Sequence, residues 1–520
     1  MARRLTLLTL AAVTVAIAAC GGGKHQGSDT FPGYRLEPPT GPVEIAPGSA
    51  GVVGGTPSVR TTSLLSKAAD GSFPNGPSRN ASVAHDQRVA SYIAYESDAS
   101  NVVDGDTNGN TDVFLVRRAH PFGVDGTPWV AAQTELISRG MNGAPANGRS
   151  YLPSVDGDSH HAPTCVAFIS DASNLVPGDT NAKPDGFVYF IKQKTIERVT
   201  VDSDGDQANG STFEISISGH CKRVAFTSDA TNLALTRTDN PSWTSAVSEA
   251  ATSRTRQVYV HFIGGTRLNK VFTGLTFLAS ASDDGQAGNG DSGEPSLARS
   301  GKAVVFSSTA TNLEAADRTA ASDVYRRMMV RTFKHLGNGD GVQILQGGLA
   351  LVSATPSGRA GNGASRHPTV SDDTRYVAFE TDASDILSGD TNGVTDIARA
   401  DMEPQPPTIS WVSATPLAGI ANGPSHHPVI SDAGMFILFD SDATNLRPSD
   451  RVHPDANGVT DVFLWNAPTR NVSLESRDAG NGYLAHPSQN PASSSRGNYV
   501  AFESATPVGD EIFLRYLGPK

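Results

Sequence analysis

Three groups of side chains in this 520-residue sequence have types and spacing that chemistry uses. The first is an acidic loop, Asp104-Gly-Asp106-Thr-Asn108-Gly-Asn-Thr-Asp112. Versions recur as Asp179-Thr-Asn181 with Asp185, as Asp390-Thr-Asn392-Gly-Val-Thr-Asp396, and as Asp455-Ala-Asn457-Gly-Val-Thr-Asp461. Alternating Asp and Asn oxygens before a Gly are how a calcium loop begins to wrap its ion, so Ca²⁺ is a candidate ligand, although no cofactor is required. The bidentate Glu that would complete such a loop is missing. The competing reading is that these short side chains hold their own turn amides, and repetition along the chain favours that scaffold role. The second group is Glu214, Glu294, His367 and His427, which fall at one equivalent position of successive repeats. Two carboxylates and two imidazoles there could bind a metal or a polar ligand, or line a wet channel mouth. Zinc ligation would require them to converge within ~2 Å of one ion. The third is the cysteines: Cys20 near the start, then Cys165 and Cys221, which read either as a disulfide or as two free thiols.

The elements that position these groups come from a repeat. The segment Val377-Ala-Phe-Glu-Thr-Asp-Ala-Ser-Asp385 has counterparts beginning at Ile93, Val166, Val224, Val304, Ile437 and Val500. An Asn-Gly pair precedes each copy, at Asn75, Asn147, Asn209, Asn289, Asn362, Asn422 and Asn481. Two independent markers give the same count of seven. Each unit reads as four short β-rich runs between Gly, Asn, Asp and Pro clusters. Such units cannot bury both faces alone, and packed radially they form a seven-bladed, all-β propeller of four-stranded antiparallel blades. A β-solenoid is the runner-up, with coils shorter than these units. The phase of the strands predicts that residues 59–66 complete the last blade beside residues 511–516. In this fold the Glu214 position lies at an end of the innermost strand, near the central channel.

The combination of Val-Ala-Phe-x-Ser, Asp-Val-Phe and Ser-x-Asp-Gly-like turns resembles the WD40-like (PD40) repeat of TolB-type propellers, over about residues 59–517. The resemblance implies fold and says little of function. The sequence departs from it at Gly157-Asp158-Ser-His-His-Ala-Pro163, in a long insertion from Thr236 to Arg256, and in an excursion from Lys334 to Gly348.

The first residues read as an address. Arg3 and Arg4 precede an apolar run from Leu5 to Ala19, then Cys20. A positive start, a short apolar core and small residues before a cut describe a secretory signal. Ile17-Ala-Ala-Cys20 resembles the bacterial lipobox, which implies lipidation of Cys20 and anchoring to a bacterial membrane on its periplasmic or surface side. Residues 20–57, rich in Gly and Pro, read as a tether of roughly 35 Å. The domain expectation is a signal at 1–19, a lipidated tether at 20–57 and the propeller at 58–520. Two remaining cysteines in an exported chain are compatible with a persistent disulfide.

The formal net charge of −12 excludes a general nucleic-acid binder. With no G-x-S-x-G, H-E-x-x-H or P-loop in the sequence, the favoured function is a non-catalytic module that binds an envelope protein or glycan, with Trp243 in the insertion as an anchor. The alternative is a propeller enzyme that acts on polysaccharide or peptide through carboxylates at the channel mouth.

Overall fold

The computed structural model describes residues 60–518, except 87–88, 120–128, 159–160, 234–254, 268–269, 273, 337–338, 416–418, 447–456 and 481. Cys20, the tether, Trp243, Asp455 and Asn481 lie outside the described residues.

Seven four-stranded antiparallel sheets form the blades. Their innermost strands are Ser78–Val83, Ser150–Val155, Thr212–Ile217, Ser292–Leu297, Ser365–Val370, Ser425–Ile430 and Ser488–Ser493, which define blades 1 to 7. Each inner strand packs against those of the two neighbouring blades, so the seven make a closed ring. Helix among the described residues amounts to two 3-10 turns, Met141–Gly143 and Gly219–Cys221. The seventh blade is completed by Thr61–Leu64, which pairs antiparallel with residues 513–516. This is the predicted closure, and it removes an open edge. The excursion in blade 4 is an elongated outer hairpin, Asp323–Leu336 with Gly339–Leu351, whose pairing shifts register between Arg327 and Met329.

The second strands carry the apolar cores. In six of the blades the aromatic ring of the Val-Ala-Phe run packs on an aromatic residue of the third strand, while in blade 5 Phe379 faces Ala398. Phe168 lies 5.9 Å from Phe187, Phe306 5.8 Å from Tyr325 and Phe439 5.8 Å from Phe463, all fully buried. Offset rings at this spacing add to the area they bury.

The two sequence markers hold each other. The Asn75 amide N–H donates to Asn101 Oδ1 (2.9 Å), and Ser100 N–H donates back to Asn75 Oδ1 (2.9 Å). The same exchange joins Asn362 to Asp385 and Ser384, and Asn422 to Asn445 and Thr444. The Gly that follows is required by space. A Cβ on Gly363 would lie 2.6 Å from the Asp382 carbonyl oxygen, and one on Gly210 would lie 2.4 Å from the Ala230 nitrogen.

Candidate functional site

Each inner strand carries a bulge near its start. Pairing with the second strand skips between Arg79 and Ser82, between Arg366 and Thr369 and at the matching place in four other blades, and in blade 3 it skips earlier, between Thr212 and Glu214. In six blades the residue just inside the skip is left-handed: Asn80, Leu152, Glu294, His367, His427 and Asn490, with φ between 48° and 54°. A side chain there pays for an uncommon conformation, and a bulge re-aims it. Three of the four residues anticipated at the channel mouth hold this place. The fourth, Glu214, does not adopt it.

The bulged amides share one kind of acceptor. His427 N–H donates to Glu380 Oε1 (2.8 Å), Asn490 N–H to Asp440 Oδ2 (3.0 Å) and Asn80 N–H to Glu503 Oε1 (2.8 Å). Leu152 N–H donates to Glu96 Oε2 (2.7 Å), His367 N–H to Glu294 Oε2 (2.7 Å) and Glu294 N–H to Glu214 Oε2 (2.8 Å). In every case the carboxylate belongs to the preceding blade. Four of these acceptors sit on second strands, at the variable place in Val-Ala-Phe-x-Ser. In blades 3 and 4 that place is Thr227 or Ser307, too short to reach across. There the inner-strand Glu214 and Glu294 supply the carboxylate, each held by that hydroxyl (2.5 and 2.8 Å). Blade 2 has Ile169 at this place, and blade 3, which follows it, is the blade without a left-handed residue.

Blades 4 to 6 add imidazoles to this ring. His367 stands between two carboxylates, with Nε2 3.1 Å from Glu294 Oε1 and Nδ1 2.9 Å from Glu380 Oε1. His427 Nδ1 lies 2.8 Å from Asp440 Oδ2, and the two rings are 5.6 Å apart. His426 Nδ1 and Arg366 Nε each lie 3.3 Å from Glu380 Oε2. Both ring histidines are about two-fifths exposed, while Glu380 and Asp440 are buried beneath them. Burial alone would push the Glu380 carboxyl up. The His367 and His426 imidazoles and the His427 amide outweigh it and hold Glu380 well below the usual carboxylate range. Burial likewise opposes a charge on His367, but Glu380 and Glu294 prevail and raise it above its ordinary value. Glu96 and Glu503, away from the histidines, are raised by burial.

The structure therefore brings Glu294, His367 and His427 together and joins Glu214 to them through the Glu294 amide. Sequence reasoning missed Glu380, Asp440, Glu96 and Glu503, which it read as variable filler in the repeat. The available signal was a charged residue recurring between a buried Phe and a buried Ser or Thr.

The turns after the inner strands close the opposite end of the channel. His85 of blade 1 reaches Asp432 of blade 6 (2.5 Å), and Arg299 of blade 4 donates to the Val155 carbonyl of blade 2 (2.8 Å), so side chains meet across the axis. At the rim of this end Asp158, His161 and His220 offer one ligand atom each within 4.8 Å of one another, a set that could hold a metal. Beside them Cys165 and Cys221 form a disulfide linking blades 2 and 3, with Cα atoms 5.9 Å apart.

The acidic loops are built as clamps. Asn108 Nδ2 donates to Asp112 Oδ2 (2.7 Å) and to the Ala146 carbonyl, while Ser138 Oγ donates to Asp112 Oδ1 (2.6 Å). Asn392 does the same for Asp396 (2.9 Å) and the Ala421 carbonyl, with Ser413 on the other oxygen. Asp112 and Asp396 are fully buried, and burial pushes both up to about 6. Neither Asp104, Asp106 and Asp112 nor Asp390 and Asp396 belong to a converging set of three acidic or imidazole ligands.

No family model matches the sequence, and no curated protein matches it. Solved structures do resemble it. An oligogalacturonate lyase in complex with manganese shares 11% identity over 88% of this chain and 96% of that one, with a TM-score of 0.44. A TolB of Agrobacterium tumefaciens shares 13% over 74% and 94%, with a TM-score of 0.33. A puromycin-hydrolysing peptidase of Mycobacterium tuberculosis shares 11% over 84% of this chain and 50% of its own, with a TM-score of 0.41. At these identities and TM-scores the likeness is one of fold alone.

The expectation of a non-catalytic module is corrected here. It rested on scattered polar residues with no unlike groups gathered at one place. The solved structures named above include a lyase and a peptidase, a likeness of fold alone. The mouth of blades 4 to 6 gathers two imidazoles and three carboxylates of differing burial. The binding role assigned to Trp243 lies outside the described residues.

Proposed function

We propose that this chain is an enzyme that cleaves a polysaccharide or a peptide by acid–base catalysis at the channel mouth. The observation that carries the reading is the pair of oriented imidazoles, His427 on Asp440 and His367 between Glu294 and Glu380, 5.6 Å apart ring to ring. A carboxylate on Nδ1 selects the tautomer with its proton there and leaves the Nε2 lone pair of His427 for the substrate. His427 is the base in this reading. His367, which the flanking Glu380 and Glu294 carboxylates raise above its ordinary value, is the acid. The closed far end of the channel makes the mouth the place where a polymer would lie.

The test is turnover by purified protein on panels of acidic and neutral polysaccharides and of peptides, followed by pH–rate profiles. His427→Ala and His367→Ala should each lower kcat/KM by roughly 10²–10⁴-fold, the usual worth of a positioned acid or base, in variants that circular dichroism shows to be folded. Wild type that leaves both panels intact, or full activity in His427→Ala, overturns the reading.

Export and anchoring through Cys20 belong to the same proposal, supported by the Arg3–Cys20 segment. Labelling with a fatty-acid analogue in a bacterial host should mark wild type and not Cys20→Ala, and the variant should leave the membrane fraction. Unlabelled wild type ends the lipoprotein reading.

A further inference from the structure

We propose that Asp158, His161 and His220 hold one divalent transition-metal ion of the zinc class, bridging blades 2 and 3 at the channel end away from His367 and His427. The three come from two turns that follow adjacent inner strands. Their ligand atoms already converge on the Asp158 carboxylate: His161 Nδ1 lies 3.0 Å from Oδ1, and His220 Nε2 lies 2.6 Å from Oδ2. The two imidazole rings sit 3.8 Å apart, centroid to centroid. An ion placed among these atoms would take the lone pair of each ring, with the proton carried on the other nitrogen. Two imidazoles and one carboxylate suit zinc and its neighbours in the first transition row, whereas calcium and magnesium prefer oxygen alone.

The surroundings prepare the set. Gly219–Cys221 is a single 3-10 turn in which His220 and Cys221 are both left-handed, with φ of 63° and 52°. Neither is Gly, and strain of this kind persists only where the surroundings over-determine it. Here the next residue is tied by the Cys165–Cys221 disulfide to the strand that begins just after His161, and Gly219 N–H donates to the Arg299 carbonyl (2.8 Å). Asp158 is nearly buried and is further fixed by backbone bonds in both directions with His161. The His161 side chain is 57% exposed, which leaves the remaining coordination positions open to water or to a ligand. A second set nearby, Asp156 with Cys165 and Cys221, has its two sulfurs spent on each other.

The test uses tag-free, oxidised, chelator-stripped protein. Titration calorimetry with ZnCl₂ should give one ion per chain, and CoCl₂ should give a visible spectrum without a thiolate charge-transfer band. His161→Gln and His220→Gln retain hydrogen-bonding ability and should each weaken zinc binding at least tenfold. His367→Ala and His427→Ala should bind zinc as wild type does, which separates this site from the mouth. Thermal melts monitored by circular dichroism, with and without zinc, establish that each variant is folded and should show a zinc-dependent rise that the double Gln variant loses. The proposal is overturned by no binding to folded wild type, by binding that survives the double Gln variant, by binding lost only in the mouth variants, or by a thiolate band.

Discussion

Glu380 in blade 5 accepts the backbone N–H of His427 in blade 6 at 2.8 Å, and the same blade-to-blade bond recurs at Glu96, Glu214, Glu294, Asp440 and Glu503. Glu294 thus both orients the His367 imidazole and holds the bulge that carries it, whereas the His427 ring is oriented by Asp440 and its amide is held by Glu380. Buried acceptors bound to N–H groups are costly to remove, because the amide is left unpaired.

The charges around Glu380 predict a stability optimum on the acid side of neutrality. The folded-state value of Glu380 is depressed, so its contribution is present above its ordinary 4.5 and is lost as pH falls. His367 and His426 are raised, so theirs is present below 6.5 and is lost as pH rises through the folded values. All three contribute fully between about pH 4.5 and 6.5. Melting temperatures should fall on both sides of that window, and Glu380→Gln should flatten the alkaline side. An unaltered slope in the variant would show that these groups do not set it.

Ring closure has its own titration. Glu511 is fully buried beside the closing strand, accepts a hydrogen bond from Ser66 Oγ (2.6 Å), and is pushed by burial up to about 8. The folded chain keeps this proton where the unfolded chain loses it. Stability from this group therefore falls as pH rises from about 4.5 towards 8. Glu511→Gln keeps the shape and cannot ionise. It should raise the melting temperature at pH 8 by roughly 2 °C and leave it unchanged at pH 4. A lower melting temperature at pH 8 would count against a protonated Glu511.

The disulfide closes a loop with a sequence separation of 56. On the chain-entropy account such a cross-link is worth about 4 kcal/mol. Cys165→Ser with Cys221→Ser should lower the urea midpoint accordingly, and a reducing agent should do the same to wild type only. Equal midpoints for the variant and for oxidised wild type would remove the bond from the stability argument.

The clamp at Asn392 predicts a structural role for the acidic loops. Asn392→Ala leaves Asp396 and the Ala421 carbonyl each short of a donor and should cost about 1–3 kcal/mol. The melting temperature should be the same in millimolar Ca²⁺ and in chelator, because the Asn nitrogen already faces the carboxylate. A calcium-dependent rise that Asn392→Ala abolishes would show an ion in the loop instead.

The sequence made the repeat plain because its two markers bind each other in every described pair, so Asn362 and Asp385 stay in step however long the outer loops grow. The closing strand was legible from phase alone. The mouth was legible only in part. His367 and His427 stood out because a polar residue at an inner-strand position is conspicuous. Glu380 and Asp440 did not, because their partners lie in the next blade, 47 and 50 residues further along the chain. A bond between repeats has no local periodicity to reveal it. The zinc-class set was hidden for the same reason, since His161 and His220 meet only through blade packing.

The pairing of Thr61–Leu64 with residues 513–516 has a consequence for biosynthesis. The strand made first must wait for the strand made last, and Arg515 Nη1 finds Thr62 Oγ1 across 453 residues of chain. At ~5–20 residues per second that interval is roughly 25–90 s of translation. Throughout it the outer strand of blade 7 has no partner and the ring is open. On the proposal that the chain is exported, such an order keeps the final lock from engaging until its last residues have arrived.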